Sequence, residues 1–266
     1  MTILERNNVS ISGGGDRTLV FVHGYGCDQS MWRYVAPHFE QTNRVVLYDL
    51  TGMGHSNLDA YDFSEYRTLN RHADDLVALL EALDVTGAVV IGHSVGATIA
   101  SLASLRCPER ISALALVAPS PCYLNDESYI GGFDRETLEG LVTLMDENFL
   151  GWTSQVMPTI AGDGQDSETA VELTQSFCRT DPAIAKHFGR LVFLADHRED
   201  MKQVETAAVI IQCSHDALAP VDVGAWLAEN MKHGTLKIIQ ASGHCPHMTE
   251  PEATTAAIRD CLTAMK

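Results

Sequence analysis

The sequence predicts an α/β fold in which a mostly parallel sheet is flanked by helices. Three observations support this prediction: continuous Val-, Ile- and Leu-rich runs, helical patterns between them, and one long segment without strands that interrupts the alternation. The chain has 266 residues, enough for one large domain with a buried core. Its hydrophobic content of 45% is that of a globular protein rather than a disordered one.

The predicted strands are short runs that are apolar throughout. Continuous apolarity, in place of an alternating pattern, is typical of parallel strands covered on both faces. The runs with this pattern are Thr18–Val22, Arg44–Tyr48, 88–91, 113–117, 208–212 and 236–239.

Helical patterns separate these runs. Residues 66–83 place leucines on one face and charged residues on the other, and the Ala-rich residues 96–105 suit a helix buried against a sheet. Helical segments are also predicted at 223–231 and 251–265. Such alternation of strands and helices favours a doubly wound sheet.

The segment from 122 to 197 contains no strand-like run. It has helical patterns at 135–149, 169–177 and 183–194, joined by predicted turns at 131–132, Pro158 and 162–164. Because ligands bind at the carboxyl edge of open α/β sheets, we predict a helical cap over that edge. The predicted organisation is therefore a core of residues 1–121 and 198–266 with a cap of residues 122–197.

Charge and cysteine content exclude several classes of function. The net charge of −17 argues against nucleic-acid binding, which needs clustered Lys and Arg, and gives little attraction to anionic membranes. The seven cysteines are scattered, odd in number and without a C-x-x-C pair, which favours reduced thiols. The sequence shows no secretory signal and no transmembrane run, so we expect a cytoplasmic protein.

The strongest motif is the G-x-S-x-G pattern at residues 92–96, with Ser94 at its centre. It follows a predicted strand and precedes a predicted helix, which is the context of a nucleophile elbow. Flanking glycines permit the sharp turn, and the helix N-terminus places partial positive charge where an oxyanion develops. Ser94 is therefore the candidate nucleophile.

A serine hydroxyl needs a base, and in this motif's usual setting the chain order is serine, acid, histidine. His244 follows the last predicted strand and is the candidate base, with His247 as a rival. Asp216, in the loop after 208–212, is the candidate acid, with Asp222 as a weaker alternative. A carboxylate there would fix the imidazole tautomer, and activity should rise as His244 loses its proton.

Two backbone amides are expected to form an oxyanion hole. One belongs to Val95, the residue after the candidate nucleophile, and the other to Tyr25 in the loop after Thr18–Val22. Cys245 and His247 beside the candidate base could suggest a metal, but no second ligand pair with suitable spacing occurs. We therefore expect neither a metal ion nor another cofactor.

Several segments together resemble the RsbQ-type bacterial stress-response hydrolases, which have the α/β-hydrolase fold. They are HGYGCDQS at 23–30, GHSVGA at 92–97, PSPCYLND at 119–126 and GHCPHM at 243–248. In and after the predicted cap, GGF at 131–133, SFC at 176–178 and DHRED at 196–200 are similar to the same family. The resemblance covers essentially the whole chain, and plant strigolactone and karrikin receptors are more distant members.

The resemblance implies a four-helix cap over a small apolar pocket with Ser94 at its floor. It also implies a triad of Ser94, Asp216 and His244, with Tyr25 and Val95 as oxyanion donors. RsbQ-type proteins act with a PAS-domain phosphatase and are thought to supply or process a small hydrophobic ligand. A PAS-domain partner and such a ligand are therefore expectations for this chain.

Bulky residues of the predicted cap are candidates for the pocket wall. They are Tyr123, Phe133, Phe149, Trp152, Phe188 and Phe193. Packing of the cap on the core is the commoner role of such residues. Because small-molecule sites are mostly apolar, we expect about half of them to line the cavity.

Three functions suit these motifs. One is hydrolysis of a small hydrophobic ester, lactone or enol-ether-like molecule, and another is a low-turnover receptor whose cap surface binds a partner protein. The third is serine-dependent C–C bond hydrolysis or cofactor-free haloperoxidase chemistry, since a fold does not settle the substrate. Dehalogenases and epoxide hydrolases place aspartate at the elbow, so Ser94 argues against both.

Overall fold

We describe the fold from a computed structural model, which describes residues 1–162, 164 and 167–264. Within these residues one seven-stranded sheet has the order β1-β3-β2-β4-β5-β6-β7. The strands are β1 (Ser10–Gly13), β2 (Thr18–Val22), β3 (Arg44–Tyr48), β4 (Ala88–His93), β5 (Ile111–Val117), β6 (Ala207–His215) and β7 (Gly234–Ser242). β1 pairs antiparallel with β3 and the other pairs are parallel, so the predicted mostly parallel sheet is confirmed.

Helices flank the sheet, as the sequence predicts. They are α1 (Ile3–Arg6), α2 (Leu69–Ala82), α3 (Val95–Arg106), α4 (Arg135–Glu147), α5 (Phe149–Ala161), α6 (Glu168–Arg179), α7 (Pro182–Phe193), α8 (Arg198–Gln203), α9 (Val221–Asn230), α10 (Pro246–Thr249) and α11 (Pro251–Ala264). Among the described residues, no helix has the length and apolarity needed to cross a bilayer.

The strands β2 and β4 and the helix α3 lie in the buried core of the protein. β2 and β4 are buried along their whole length, and α3 is buried from Val95 through Ser104. Each fully buried Val, Leu or Ile side chain contributes about 1.5–3 kcal/mol relative to exposure. The turn between β4 and α3 is therefore held between a fully buried strand and a buried helix.

Helices α4 to α7 occupy the chain between β5 and β6, within the predicted cap segment. Each begins at a polar side chain that accepts a hydrogen bond from a backbone N–H in the first turn. These N-cap residues are Asp134, Asn148, Ser167 and Asp181. Because an N-cap typically stabilises a helix by about 1 kcal/mol, these side chains define where the four helices start.

The predicted turn at Pro158 is wrong, because Pro158 lies inside α5. A proline in a helix interior costs about 3 kcal/mol. α5 offsets this cost by burying several large side chains, among them Trp152 and Met157, which are both 0% exposed. At about 1.5–3 kcal/mol for each large apolar side chain, tertiary burial outweighs the local helix breaker.

The edge strand β1 is not among the strands that the sequence predicts. Its four residues, SISG, contain no apolar run and are exposed or half-buried. They form a strand because Ser10 to Gly13 pair with Leu47 to Arg44 of β3, more than thirty positions along the chain. Local composition contains no signal for a pairing of this kind.

A buried histidine makes the stability of the fold sensitive to acid. His72 is 0% exposed, and neither ring nitrogen has a hydrogen-bond partner in the described part of the chain. Desolvation lowers the pKa of His72 from 6.5 to about 3. The unfolded chain therefore binds this proton first, and stability is lost as pH falls from about 6.5 towards 3.

We expect His72→Phe to flatten this pH dependence. Each histidine with a lowered pKa contributes about 1.4 kcal/mol per pH unit to the slope of the unfolding free energy in this window. Urea unfolding of wild type and variant at pH 6.5, 5.5 and 4.5 measures the difference. Parallel stability curves across this range would contradict the assignment.

Candidate active site

Ser94 lies on a strained turn between β4 and α3. Its backbone has φ 55° and ψ −125°, a conformation that costs a non-glycine residue about 1–3 kcal/mol. The neighbouring glycines are required by close backbone approach. A Cβ on Gly92 would lie 2.5 Å from the carbonyl oxygen of Gly96, and one on Gly96 would lie 2.6 Å from that of Val22. Glycine is thus required at 92 and 96 by steric exclusion around the turn that carries Ser94.

The structure brings Ser94, His244 and Asp216 together. Ser94 Oγ is 2.8 Å from His244 Nε2, and His244 Nδ1 is 2.6 Å from Asp216 Oδ2. The other carboxylate oxygen of Asp216 accepts from the backbone N–H of Leu218 at 2.8 Å and of Ala219 at 3.2 Å. This chain of hydrogen bonds can move a proton from the hydroxyl to the imidazole while the carboxylate holds the ring.

The alternatives left open by the sequence lie elsewhere. Asp222 is exposed in the first turn of α9. The His247 ring packs against Trp32, with ring centroids 4.6 Å apart, and is fully buried. His244, not His247, carries the imidazole that contacts Ser94.

Val95 and Gly24, the neighbour of Tyr25 in the chain, both lie beside the serine. Val95 is the first residue of α3, so its N–H has no partner within the helix. Tyr25 follows Gly24, where an added Cβ would lie 3.4 Å from Ser94 Cβ. An unpaired N–H at a helix N-terminus directly after the serine is suited to stabilise a developing oxyanion, and Tyr25 stays the predicted second donor.

A buried histidine orients the loop that carries Tyr25. His23 Nε2 accepts from Leu50 N–H at 2.9 Å, so Nδ1 bears the proton and donates to the carbonyl oxygen of Gly24 at 2.8 Å. Burial lowers the pKa of His23, which keeps this neutral tautomer. Since C=O and N–H of one trans peptide point in opposite directions, His23 fixes the direction of the Tyr25 N–H.

A narrow, mostly apolar cavity lies against Ser94 and His244. Only about 30 Å³ is accessible to the centre of a water molecule, which is room for about two ordered waters. An ester-sized occupant exceeds this space, so side chains of the wall have to shift to admit it. The remaining wall consists of Tyr25, Cys27, His93, Tyr123, Trp152, Ile160, Leu173, Phe177, Val192, Phe193, Leu218 and Cys245.

Tyr123, Trp152 and Phe193 are the sequence candidates that line this cavity. Burial raises the pKa of Tyr123 to about 12, so its hydroxyl stays neutral and can donate a hydrogen bond to an occupant. Trp152 and Phe193 form an edge-to-face pair with ring centroids 6.1 Å apart. They contribute the aromatic part of the wall.

Phe133, Phe149 and Phe188, the other three candidates, are not part of the described lining, in line with the expectation that about half of the six line the cavity. Phe149 stacks on Trp152 with ring planes 11° apart, and Phe188 packs against His72 at 4.6 Å. Phe133 is half-buried beside Tyr123. Sequence spacing identifies these rings as apolar but cannot tell a wall residue from one packed behind it.

The cavity wall also contains residues that were not among the sequence candidates. Leu173 and Phe177 are one helical turn apart on α6, both almost fully buried. Their spacing was the available signal, since residues at i and i+4 share a helix face. Cys27 and Cys245 lay inside the quoted motifs without being assigned to the cavity.

Two histidines and a cysteine that could together bind a metal ion lie beside the triad. Ligand atoms of His93, Cys245 and His247 are within 4.8 Å of one another, so the fold adds His93 to the pair considered from the sequence. One ring nitrogen of His93 is already 2.8 Å from the carbonyl of His244, and burial raises the pKa of the Cys245 thiol. A metal ion here would have to displace the thiol proton, and the triad geometry is complete without it.

A family model described as "Alpha/beta hydrolase family" matches residues 19–258. This chain belongs to the alpha/beta hydrolase family. As a hydrolase it is similar to two curated plant proteins across most of its length. A karrikin insensitive 2 receptor from Petunia hybrida is 36% identical over 249 residues, covering 93% of this chain and 92% of the relative. A strigolactone esterase from Pisum sativum is 37% identical over 252 residues, covering 94% of each.

Solved structures share the fold of this hydrolase. A hydrolase from Oleispira antarctica superposes with a TM-score of 0.95 at 40% identity, covering 98% of this chain and 96% of the other. A bromoperoxidase from Bacillus anthracis, at 21% identity and a TM-score of 0.86, shares the fold alone. The predicted α/β-hydrolase fold is confirmed, while the resemblance to RsbQ-type proteins remains a prediction.

Proposed function

We propose that this protein is a serine hydrolase in which Ser94 attacks the substrate, His244 accepts the serine proton and Asp216 orients the imidazole. The observation that carries the proposal is the continuous chain of two hydrogen bonds, 2.8 and 2.6 Å long, from Ser94 to Asp216 at the cavity floor. The backbone amides of Tyr25 and Val95 stabilise the oxyanion.

The proposed substrate is a small, uncharged ester, lactone or enol-ether-like molecule. The described cavity wall contains no Lys, Arg, Asp or Glu, so it offers no partner for a substrate charge. Ser94 and His244 supply the reacting groups of the wall and Tyr123 a neutral hydroxyl, while most of the wall is aliphatic or aromatic. Polarity is thus concentrated at the reacting bond.

We expect short acyl chains to be hydrolysed fastest. The narrow cavity must widen for each added methylene, so kcat/KM for p-nitrophenyl acetate should exceed that for the octanoate by about tenfold or more. Leu173→Ala enlarges the cavity and should reduce this preference for short acyl chains. Leu138→Ala, at a buried residue of α4 outside the cavity wall, should leave the preference unchanged. An unchanged preference in Leu173→Ala would contradict this placement of the acyl group.

A second candidate is a low-turnover receptor that binds a partner protein through its cap. Its support is the group of large apolar residues exposed on or near the cap helices, namely Ile130, Leu150, Val171 and Leu194. The plant relatives include proteins named as receptors. We propose, from the resemblance to RsbQ-type proteins, a PAS-domain phosphatase or another PAS-containing regulator as the partner, and a cytoplasmic location.

Capture of a purified PAS-domain phosphatase tests the receptor candidate. Leu150→Glu and Leu194→Glu should each reduce capture while hydrolysis of p-nitrophenyl acetate is retained, because both side chains are exposed and away from Ser94. Capture that is absent, or unaffected by both changes, would count against this partner. Serine-dependent C–C bond hydrolysis and haloperoxidase chemistry would use the same triad and are tested by substrate panels.

A further inference from the structure

His93, the residue before the candidate nucleophile, makes a contact that the proposed mechanism does not use. It is the last residue of β4 and is 2% exposed. Its Nε2 lies 2.8 Å from the backbone carbonyl oxygen of His244, 151 positions further along the chain. Because a carbonyl only accepts, Nε2 bears the proton and donates it.

The His93 ring is held firmly in this orientation. It packs against the ring of His247 at 4.3 Å and against that of His244 at 5.2 Å. On a third side, a Cβ on Gly24 would lie only 2.7 Å from His93 Nδ1. Burial keeps the pKa of His93 well below its usual value, so the ring remains neutral and its tautomer is fixed.

The two ends of this contact differ in how they are anchored. His93 pairs with Val117 within the buried centre of the sheet, and Ser94 N–H donates to the Val117 carbonyl at 2.9 Å. His244 instead follows the end of β7, where its N–H donates to the carbonyl of Ile160 in α5 at 2.7 Å. The carbonyl of His244 is therefore its backbone link to β4, the strand that leads into the turn with Ser94.

We propose that His93 is a positioning residue that sets the distance between the base and the nucleophile. His93 contacts the carbonyl of His244, and the next residue, Ser94, contacts its Nε2. Two consecutive residues therefore fix both the backbone and the ring of the base. This inference rests on the proposed function, because it assigns His244 the role of base. Misplacement of a catalytic group by about 1 Å costs up to about 100-fold in rate.

A metal held by the neighbouring cluster of His93, Cys245 and His247 is the alternative explanation for this ring orientation. His93 Nε2 donates to the His244 carbonyl, so only Nδ1 of His93 remains to bind a metal together with Cys245 and His247. If a metal were the reason for His93, activity would depend on it. Dialysis against EDTA should therefore leave activity unchanged, and a loss restored by Zn²⁺ would overturn the inference.

Two substitutions of matched length separate the donor from the volume of the ring. His93→Gln places an amide N–H near the position of Nε2, and His93→Met has the same length without a donor. His93→Asn is a polar control whose amide reaches only the Nδ1 position. The measurements are kcat and KM for p-nitrophenyl acetate, the rate of labelling by a serine-directed phosphonate, and the thermal unfolding midpoint.

We expect His93→Met and His93→Asn to lower kcat and the labelling rate by about 10- to 100-fold, with KM changed less than about threefold. His93→Gln should recover at least about tenfold of the loss. A Met or Asn variant that reacts like wild type would overturn the inference, as would a Gln variant no better than Asn when both are folded. Wild type that neither labels nor hydrolyses would overturn the proposed function itself, independently of any His93 variant.

Discussion

Replacement of Ser94 by alanine is expected to abolish ester hydrolysis while the protein remains folded. Loss of the nucleophile in a serine triad lowers kcat by about 10⁴-fold or more, because the remaining groups cannot form the covalent intermediate. Ser94 Oγ has its hydrogen bond to His244 within the site, so its loss removes little packing. The expected result is an unchanged unfolding midpoint with activity at background.

Ser101→Ala is the matched control for this experiment. Ser101 is buried on α3, two turns from the elbow, and its hydroxyl donates to the backbone carbonyl of Ala97. Its loss should leave kcat within about twofold of wild type, since it lies outside the cavity wall. Steady-state kinetics with p-nitrophenyl acetate compares the two variants. Retained hydrolysis in Ser94→Ala would assign the activity to another group.

Replacement of Asp216 by asparagine is expected to lower kcat by about 10⁴-fold without loss of structure. The change keeps the shape of the side chain but removes the charge that stabilises the imidazolium, and its amide favours the wrong tautomer of His244. The backbone donors at Leu218 and Ala219 can still bond to the amide oxygen. Kinetics and circular dichroism of the variant measure both parts of this expectation.

Asp222→Asn is the control for Asp216→Asn. Asp222 is the alternative acid that the sequence left open, and it is exposed in the first turn of α9. We expect nearly wild-type kinetics from it. A large loss in Asp222→Asn with little loss in Asp216→Asn would reverse the assignment of the acid.

The sequence predicted the parts of the site that follow from local pattern and chain order. Ser94 was placed at the elbow because glycines, strand and helix occur in the required order around it. His244 and Asp216 were placed because each follows a strand whose carboxyl end faces the same edge of the sheet. The structure brings these three side chains into direct contact.

The parts that were missed depend on contacts between distant segments. Pro158 predicted a turn, yet α5 continues through it because Trp152 and other side chains of that helix are buried. Phe149 and Phe188 have the same composition signal as Phe193, but only Phe193 reaches the cavity. These outcomes depend on the tertiary packing of each ring, of Phe149 on Trp152 and of Phe188 on His72 of α2.

The role inferred for His93 shows the same limit. In the sequence it is the variable position of G-x-S-x-G, with no pattern to connect it to residue 244. Only the fold places its ring 2.8 Å from the carbonyl of His244.

Intact-mass spectrometry after reaction with a serine-directed phosphonate tests the central claim most directly. Wild type and Ser94→Ala are treated under the same conditions, and the mass of each is measured with a peptide map of the labelled site. We predict one phosphonyl group per wild-type chain, located on Ser94, and none on Ser94→Ala. Equal labelling of both proteins, or folded wild type that never reacts, would contradict the assignment of Ser94 as an activated nucleophile.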